Sequence, residues 1–229
     1  MSNVIINQLH SWKLDFDQAK SIQISLANKV STKSELLTPR FIAGTDISIP
    51  RFSKMGLASV VVLRYPELDV VDIQTTEREI SFPYIPGLLS FREVPLIIEA
   101  YQKISVKPDI LIADGQGIAH PRRFGLASHI GVLLNIPSIG CAKSRLCGQH
   151  EPVAVEAGSY SKLIDNEETI GAVVRTKNNV KPVYVSIGHR IDLTSAIHWV
   201  MECCRGYRLP EPCRLAHLSA GKKLSSPKI

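Results

Sequence analysis

Residues 109–142 read DILIADGQGIAHPRRFGLASHIGVLLNIPSIGCA. The stretch opens on an apolar run that stops at Asp114 and passes through a Gly-rich polar loop. An apolar helical segment from Phe124 to Asn135 follows, then a second strand from Ile136 to Ala142. Strand, helix and strand in that order predict two parallel strands joined by a crossover helix. Upstream, Phe41–Ser48, Leu57–Tyr65 and Val70–Thr76 are short β-branched runs separated by Gly, Pro and charged residues, which predicts an antiparallel meander. Helices are predicted over 15–30, where Ala19, Ile22, Leu26 and Val30 repeat at helical spacing, and over Ser90–Ile104. Downstream, strands Thr169–Arg175 and Val183–Ile187 flank an Asn178-Asn179 turn, and helices follow at Thr194–Cys204 and Pro212–Gly221. The fold class is therefore α/β, with a mixed central sheet of an antiparallel meander and then parallel αβ units, flanked by helices. One domain over residues 1–222 is expected, with residues 223–229 as a solvated tail.

Composition sets the outer limits. The chain has 229 residues, 45% of them apolar, enough for one sizeable core. Its net charge of +6 suits a polyanion such as nucleic acid. No apolar run is long enough to span a bilayer and the first residues lack the layout of a signal peptide, so a cytoplasmic protein without membrane partners is expected. The five cysteines, Cys141, Cys147, Cys203, Cys204 and Cys213, are odd in number and lack paired C-x-x-C spacing, which argues for reduced thiols over disulfides or zinc.

Two acids stand in equivalent places: Asp46 closes FIAGTD and Asp114 closes ILIAD, each at the polar end of an apolar strand. Ligand sites of α/β sheets lie at such ends. Taken singly, either aspartate reads as a turn or strand-end residue. As a pair on neighbouring strands they would repel unless a hard divalent cation sat between them, which makes them a metal-site candidate. Glu93 has two readings. Ser90-Phe-Arg-Glu93 spells a capping box, whereas a helix starting nearer Pro95 would leave the carboxylate free. The preceding Pro83-Tyr84-Ile85-Pro86 fits either an exposed wedge between stacked bases or a hydrophobic loop tucked on the core.

Gly115-Gln116-Gly117-Ile-Ala-His120 has His where the third glycine of a dinucleotide fingerprint belongs, and it lacks the P-loop ending. His120-Pro-Arg122-Arg123 gathers cationic groups near a helix start, where phosphate is favoured, although an ordinary basic loop reads the same way. Lys143 follows a strand end and can reach the same sheet edge to stabilise charge on a reacting oxygen. Cys213 and His217 lie four apart, but no second pair completes a zinc site. His217 suits proton transfer if the chain folds it over the carboxylates.

Taken together, GTDIS, PYIPGLLSFRE, DGQGIAHPRRFGLASHIG, GCAKSRLCG, GHRIDLTSA and GYRLPEP resemble the endonuclease V family in order and spacing across nearly the whole chain. The resemblance implies a ribonuclease-H-like fold, whose adjacent, parallel first and fourth strands bring Asp46 and Asp114 together with Glu93 as third acid. It implies Mg²⁺, with Mn²⁺ able to substitute, as cofactor, with Asp46, Asp114 and Glu93 as the residues that hold it. The implied activity is that of a DNA-repair endonuclease, which recognises deoxyinosine and hydrolyses the second phosphodiester 3′ to it, leaving 3′-hydroxyl and 5′-phosphate. Asp46, Glu93, Asp114, Lys143 and His217 would be catalytic. Tyr84, with Pro83, Ile85 and Pro86, matches the family wedge. Main chain at Gly87, Leu89, Gly115 and Gly140, with His120, matches the pocket for the flipped base. Gln116 departs from relatives that carry His there. The implied partner is deoxyinosine-containing DNA, met by a monomer. Inosine-containing RNA or branched DNA is the alternative substrate, and a non-catalytic binding domain the alternative class.

Overall fold

The computed structural model describes residues 6–7, 9–34 and 38–222. Helix α1 (Phe16–Ala27) starts on a capping box in which Asp15 accepts from Gln18 N–H and Gln18 returns a bond to the Asp15 backbone. It ends at Ala27 rather than at residue 30, so Val30 packs from beyond the helix. Strands β1 (Phe41–Ser48), β2 (Met55–Arg64) and β3 (Asp69–Glu79) form the expected antiparallel meander. Helix α2 (Leu89–Gln102) leads to β4 (Ile110–Ala113), and α3 (Leu126–Leu134) leads to β5 (Ser138–Ala142).

The second half adds β6 (Tyr160–Asp165), β7 (Glu168–Val174) and β8 (Val183–His189), then α4 (Leu193–Glu202) and α5 (Glu211–Ala220). The eight strands lie in the order β3-β2-β1-β4-β5-β8-β7-β6. β4 is parallel to both β1 and β5, so the first and fourth strands are neighbours as the ribonuclease-H-like arrangement requires. The architecture goes beyond a meander and αβ units, because β8, β7 and β6 extend the far edge as a second antiparallel group. Strand β6 was absent from the sequence reading. It is an edge strand in which Leu163 alone is fully buried, so it carries no apolar run, and its turn to β7 uses Asn166 and Glu167, both at positive φ, instead of the usual Asn-Gly. The proposed tail, 223–229, lies outside the described residues.

Alternation along the strands divides the core in two. Ala43, Leu111 and Ala113 face α2 and α3, while Ile42, Ile110 and Ile112 face the side covered by α4 and Cys213 of α5. By the same parity Gly44 and Asp46 belong to the α5 side. A side chain at Gly44 would put its Cβ 2.0 Å from the Pro212 carbonyl oxygen, so glycine there lets the start of α5 lie directly on β1. No helix among the described residues is long and apolar enough to cross a membrane.

Candidate active site

The β1–β4 register pairs Thr45 with Ala113, and Asp114 N–H donates to Thr45 O at 3.1 Å, so Asp46 and Asp114 stand side by side where both strands end. Helix α5, seated on β1 through Gly44, brings His217 over them, with Nδ1 at 2.7 Å from Asp46 Oδ2. One ligand atom each from Asp46, Asp114 and His217 lies within 4.8 Å of the others. Two carboxylates and an imidazole in that space form a donor set that fits a divalent cation, the carboxylates supplying the oxygens a hard ion requires.

Glu93 approaches from the opposite face of the sheet, on α2. It is 8% exposed, and burial, then the charges of Asp46 and Asp114, push its carboxyl up to about 8, against a lowering by Arg92. The capping box does not form: α2 begins at Leu89 with no side-chain cap, and Ser90 is already inside it. Nor does the helix start near Pro95, which sits within it and costs one helical hydrogen bond. Glu93 is free of helix-capping duty because the helix starts earlier than either sequence reading required. Ser90 Oγ is instead 3.0 Å from His129 Nδ1. His10 Nδ1 must donate to the Ser11 carbonyl at 2.7 Å, which leaves its Nε2 to accept from His129 Nε2 at 2.8 Å and His129 Nδ1 to accept from Ser90. This chain of bonds is the one open to two neutral imidazoles, and burial lowers the affinity of each for a proton.

Asp114 is also held above the usual carboxylate range, by burial first and by Asp46 second, while Lys143 opposes the rise. The Lys143 amine forms an ion pair with Asp114 Oδ2. Burial weakens that amine's charge, but its bond to Asp114 and the two aspartate charges more than compensate, so Lys143 stays protonated.

Beside these acids lies a cavity of about 370 Å³, lined by the loop after β4, the loop after β5 and the segment before α2. Tyr84, Ile85, Pro86, Gly87, Leu89, Asp114, Gly115, His120 and Lys143 all border it. Pro83 is exposed just outside it. Gly140 does not line it, because a Cβ there would meet Gly117 N at 2.4 Å, so its smallness serves the seating of the Gly115–Gly117 turn on β5. Tyr84 projects 69% exposed at the rim, which excludes the tucked-loop reading for that ring.

The basic run His120–Arg123 is committed to the wall of this cavity. Gly87, at φ +77°, turns its carbonyl to three donors: Gln23 Nε2 at 3.0 Å, His120 Nε2 at 3.0 Å and Arg122 Nη2 at 2.6 Å. Since His120 Nδ1 accepts from Arg122 N–H at 3.1 Å, the ring is neutral, and burial together with Arg122 brings its pKa down to about 4. Arg123 is paired with Asp165 and Glu168. His120 and Arg122 thus brace the loop bearing Tyr84, while Arg123 ties the run to the β6–β7 turn, in place of offering free cations to a phosphate. One wall residue escaped the sequence reading, and a second, Gln116, stands there only as a departure from relatives. Gln23, buried and bonded to Gly87 and Phe124 carbonyls, was signalled by its place on the apolar stripe of α1. Gln116 donates to the Ser144 carbonyl at 2.9 Å, tying the two loops together. Its Oε1 is buried without a hydrogen-bond partner among the described residues.

A family model described as Endonuclease V matches residues 24–218. An Endonuclease V of Dehalococcoides mccartyi (strain BAV1) is 50% identical over 220 residues, 96% of this chain and 99% of that one. The chain belongs to the endonuclease V family. Among solved structures, the Endonuclease V of Streptomyces avermitilis superposes with a TM-score of 0.88 at 36% identity, covering 96% of this chain and 97% of its own. A Ciona intestinalis Endonuclease V, in complex with a 23mer DNA containing an inosine followed by a ribo-adenosine, superposes with a TM-score of 0.79 at 29% identity, covering 90% and 95%. Endonuclease V membership makes this a nuclease.

Proposed function

We propose that this protein is a DNA-repair endonuclease that recognises deoxyinosine and hydrolyses the second phosphodiester on its 3′ side, leaving a 3′-hydroxyl and a 5′-phosphate. The observation that carries the reading is that Asp114, a member of the acidic cluster, and Lys143, its ion-pair partner, both line the wall of the 370 Å³ cavity, so one substrate can occupy cluster and cavity together. The cavity is of a size that holds a small ligand group, and a flipped purine needs such a pocket. Tyr84 at its rim, braced through Gly87, is suited to fill the gap left in the base stack. The inosine-containing DNA held by the Ciona relative supports the choice of lesion.

Asp46, Asp114 and His217 would hold Mg²⁺, with Mn²⁺ as a substitute. A cation held there would supply positive charge to neutralise the phosphate and to ease deprotonation of the attacking water. Glu93, whose carboxyl titrates at about 8 without a cation, takes that water's proton. Lys143 sets a positive charge beside the scissile phosphate. His217, more than half exposed and held through Nδ1 beside Asp46, completes the ligand set, and the departing O3′ takes its proton from solvent. The reduced cysteines and the net charge of +6 fit a cytoplasmic, DNA-binding monomer.

Because the DNA in the Ciona complex carries a ribo-adenosine after its inosine, inosine-containing RNA is the second reading. Matched duplexes with adenine, inosine or uracil, and a ribo-inosine strand, incubated with and without Mg²⁺, test both. Nicking of the deoxyinosine duplex alone, dependent on Mg²⁺, is expected. Cleavage confined to the ribo-inosine strand would favour the second reading, and equal cleavage of every duplex would overturn both.

A further inference from the structure

The turn joining β1 to β2 presents Phe52 with 92% of its surface exposed, which is unusual for so large an apolar side chain. The ring is held out by design of the backbone. Phe52 sits at φ 65°, a left-handed conformation that a bulky residue rarely adopts, and strain of that kind concentrates where a side chain must be displayed. Ser53 N–H donates to the Pro50 carbonyl at 3.0 Å, Met55 N–H to Ser53 Oγ at 2.9 Å, and Ile80 N–H to the Lys54 carbonyl at 2.8 Å, so the turn is tied to itself and to the end of β3. One exposed cation meets the ring, Arg51, whose guanidinium lies over it 4.8 Å from the centroid, and a second, Lys54, stands exposed on the same turn two residues later. An exposed aromatic ring with cations on the same turn is the pairing that binds an unpaired nucleotide strand, with bases stacked and phosphates neutralised.

Its place in the sheet says which part of the strand. The cavity opens beyond β4 and β5, the acids stand at the ends of β1 and β4, and the β1–β2 turn comes next in the same direction along the same edge. Six residues separate Asp46 from Phe52, a reach of at most about 20 Å. We infer that Phe52, Arg51 and Lys54 form a stacking site for the nucleotides 3′ to the cut, the flank that carries the new 5′-phosphate. The inference rests on the proposed function for its polarity. A lesion base in the cavity and a cut at Asp46 and Asp114 leave the 3′ flank running towards this turn.

The test measures affinity for two inosine duplexes, with Ca²⁺ in place of Mg²⁺ so that the strand stays intact. In one duplex the lesion strand ends just past the scissile bond, and in the other it continues beyond the end of the complementary strand, so that its 3′ flank is unpaired and free to stack. The wild-type protein should favour the long flank about tenfold, the scale of one stacked base. Phe52→Ala should bring that ratio close to one, Phe52→Trp should preserve it, and R51Q with K54Q should reduce it more at low salt than at high salt. A wild-type ratio of one, or a ratio unchanged in Phe52→Ala, overturns the inference. Failure of the proposed function reads differently, as equal wild-type affinity for inosine and adenine duplexes.

Discussion

His217 Nδ1 and Asp46 Oδ2 are 2.7 Å apart although 171 residues separate them in the chain. Their meeting depends on a third residue, Gly44, over which the start of α5 lies so closely that a Cβ would sit 2.0 Å from the Pro212 oxygen. Gly44→Ala should therefore act twice. Overpacking of this kind costs about 1–3 kcal/mol, and for a chain of this size each kcal/mol lowers Tm by roughly 2–4 °C. Displacement of α5 should also weaken divalent-cation binding more than His217→Ala does alone. Thermal melts and cation titrations on both variants check this. A Gly44→Ala protein with wild-type Tm would show that α5 is not seated as described.

Asp46 and Asp114 are neighbours across the β1–β4 boundary, and the charge of Asp46 is one reason Asp114 holds its proton above the usual range. Replacing either by Asn removes that repulsion and keeps the shape. Asp46→Asn and Asp114→Asn should each lower nicking of a deoxyinosine duplex by at least about 10²–10³-fold. Measured without divalent cation, both variants should melt at or above the wild-type temperature. Loss of activity accompanied by loss of stability would mean that these aspartates are structural.

Glu93 makes the cation-free protein sensitive to pH. The folded protein holds the Glu93 proton up to about 8, while the unfolded chain releases it near 4.5. The group's contribution is thus fully present below about 4.5 and is lost as pH rises through about 8. Asp114, shifted in the same direction, adds to the trend. Melts in the presence of a chelator should show Tm falling across that window, Glu93→Gln should flatten much of the fall, and added Mg²⁺ should recover stability at the alkaline end. A chelated wild-type Tm that rises over the same range would contradict the burial of this carboxyl.

Much of this site was legible because strand periodicity does not depend on distant partners. FIAGTD and ILIAD each announce an apolar strand ending in an acid, and the parallel β1–β4 register then makes them adjacent. What remained open was decided by contacts no local pattern encodes. Ser90 matches a capping box by sequence, yet His129, on a different helix, takes its hydroxyl, and α2 starts at Leu89 despite Pro95. Arg122 reads as a free cation until the Gly87 carbonyl and Gln23 are seen to occupy it. Strand β6 lacks an apolar run because it covers an edge and buries a single side chain completely.

Gln116 shows how an isolated polar atom can set specificity. Its amide nitrogen is committed to the Ser144 carbonyl, which accepts only, so Oε1 is fixed as the acceptor end of a side chain that borders the cavity, without a hydrogen-bond partner among the described residues. Hypoxanthine carries a ring N–H where adenine carries a bare acceptor nitrogen, so the oxygen would be satisfied by the first and left unpaired or repelled by the second. A buried unpaired polar group costs about 1–3 kcal/mol. Gln116→Met keeps the volume while removing both the acceptor and the tie to Ser144. It should lower the preference for inosine over adenine by roughly tenfold, mostly through weaker inosine binding. Gln116→Glu places an oxygen at either end and cannot donate to Ser144, so it should disturb the loop after β5 and impair both duplexes alike. Affinities for the two duplexes, measured in parallel for both variants, decide the matter: if Gln116→Met retains the wild-type preference, the purine is read by main chain alone and Gln116 serves only to join the two loops.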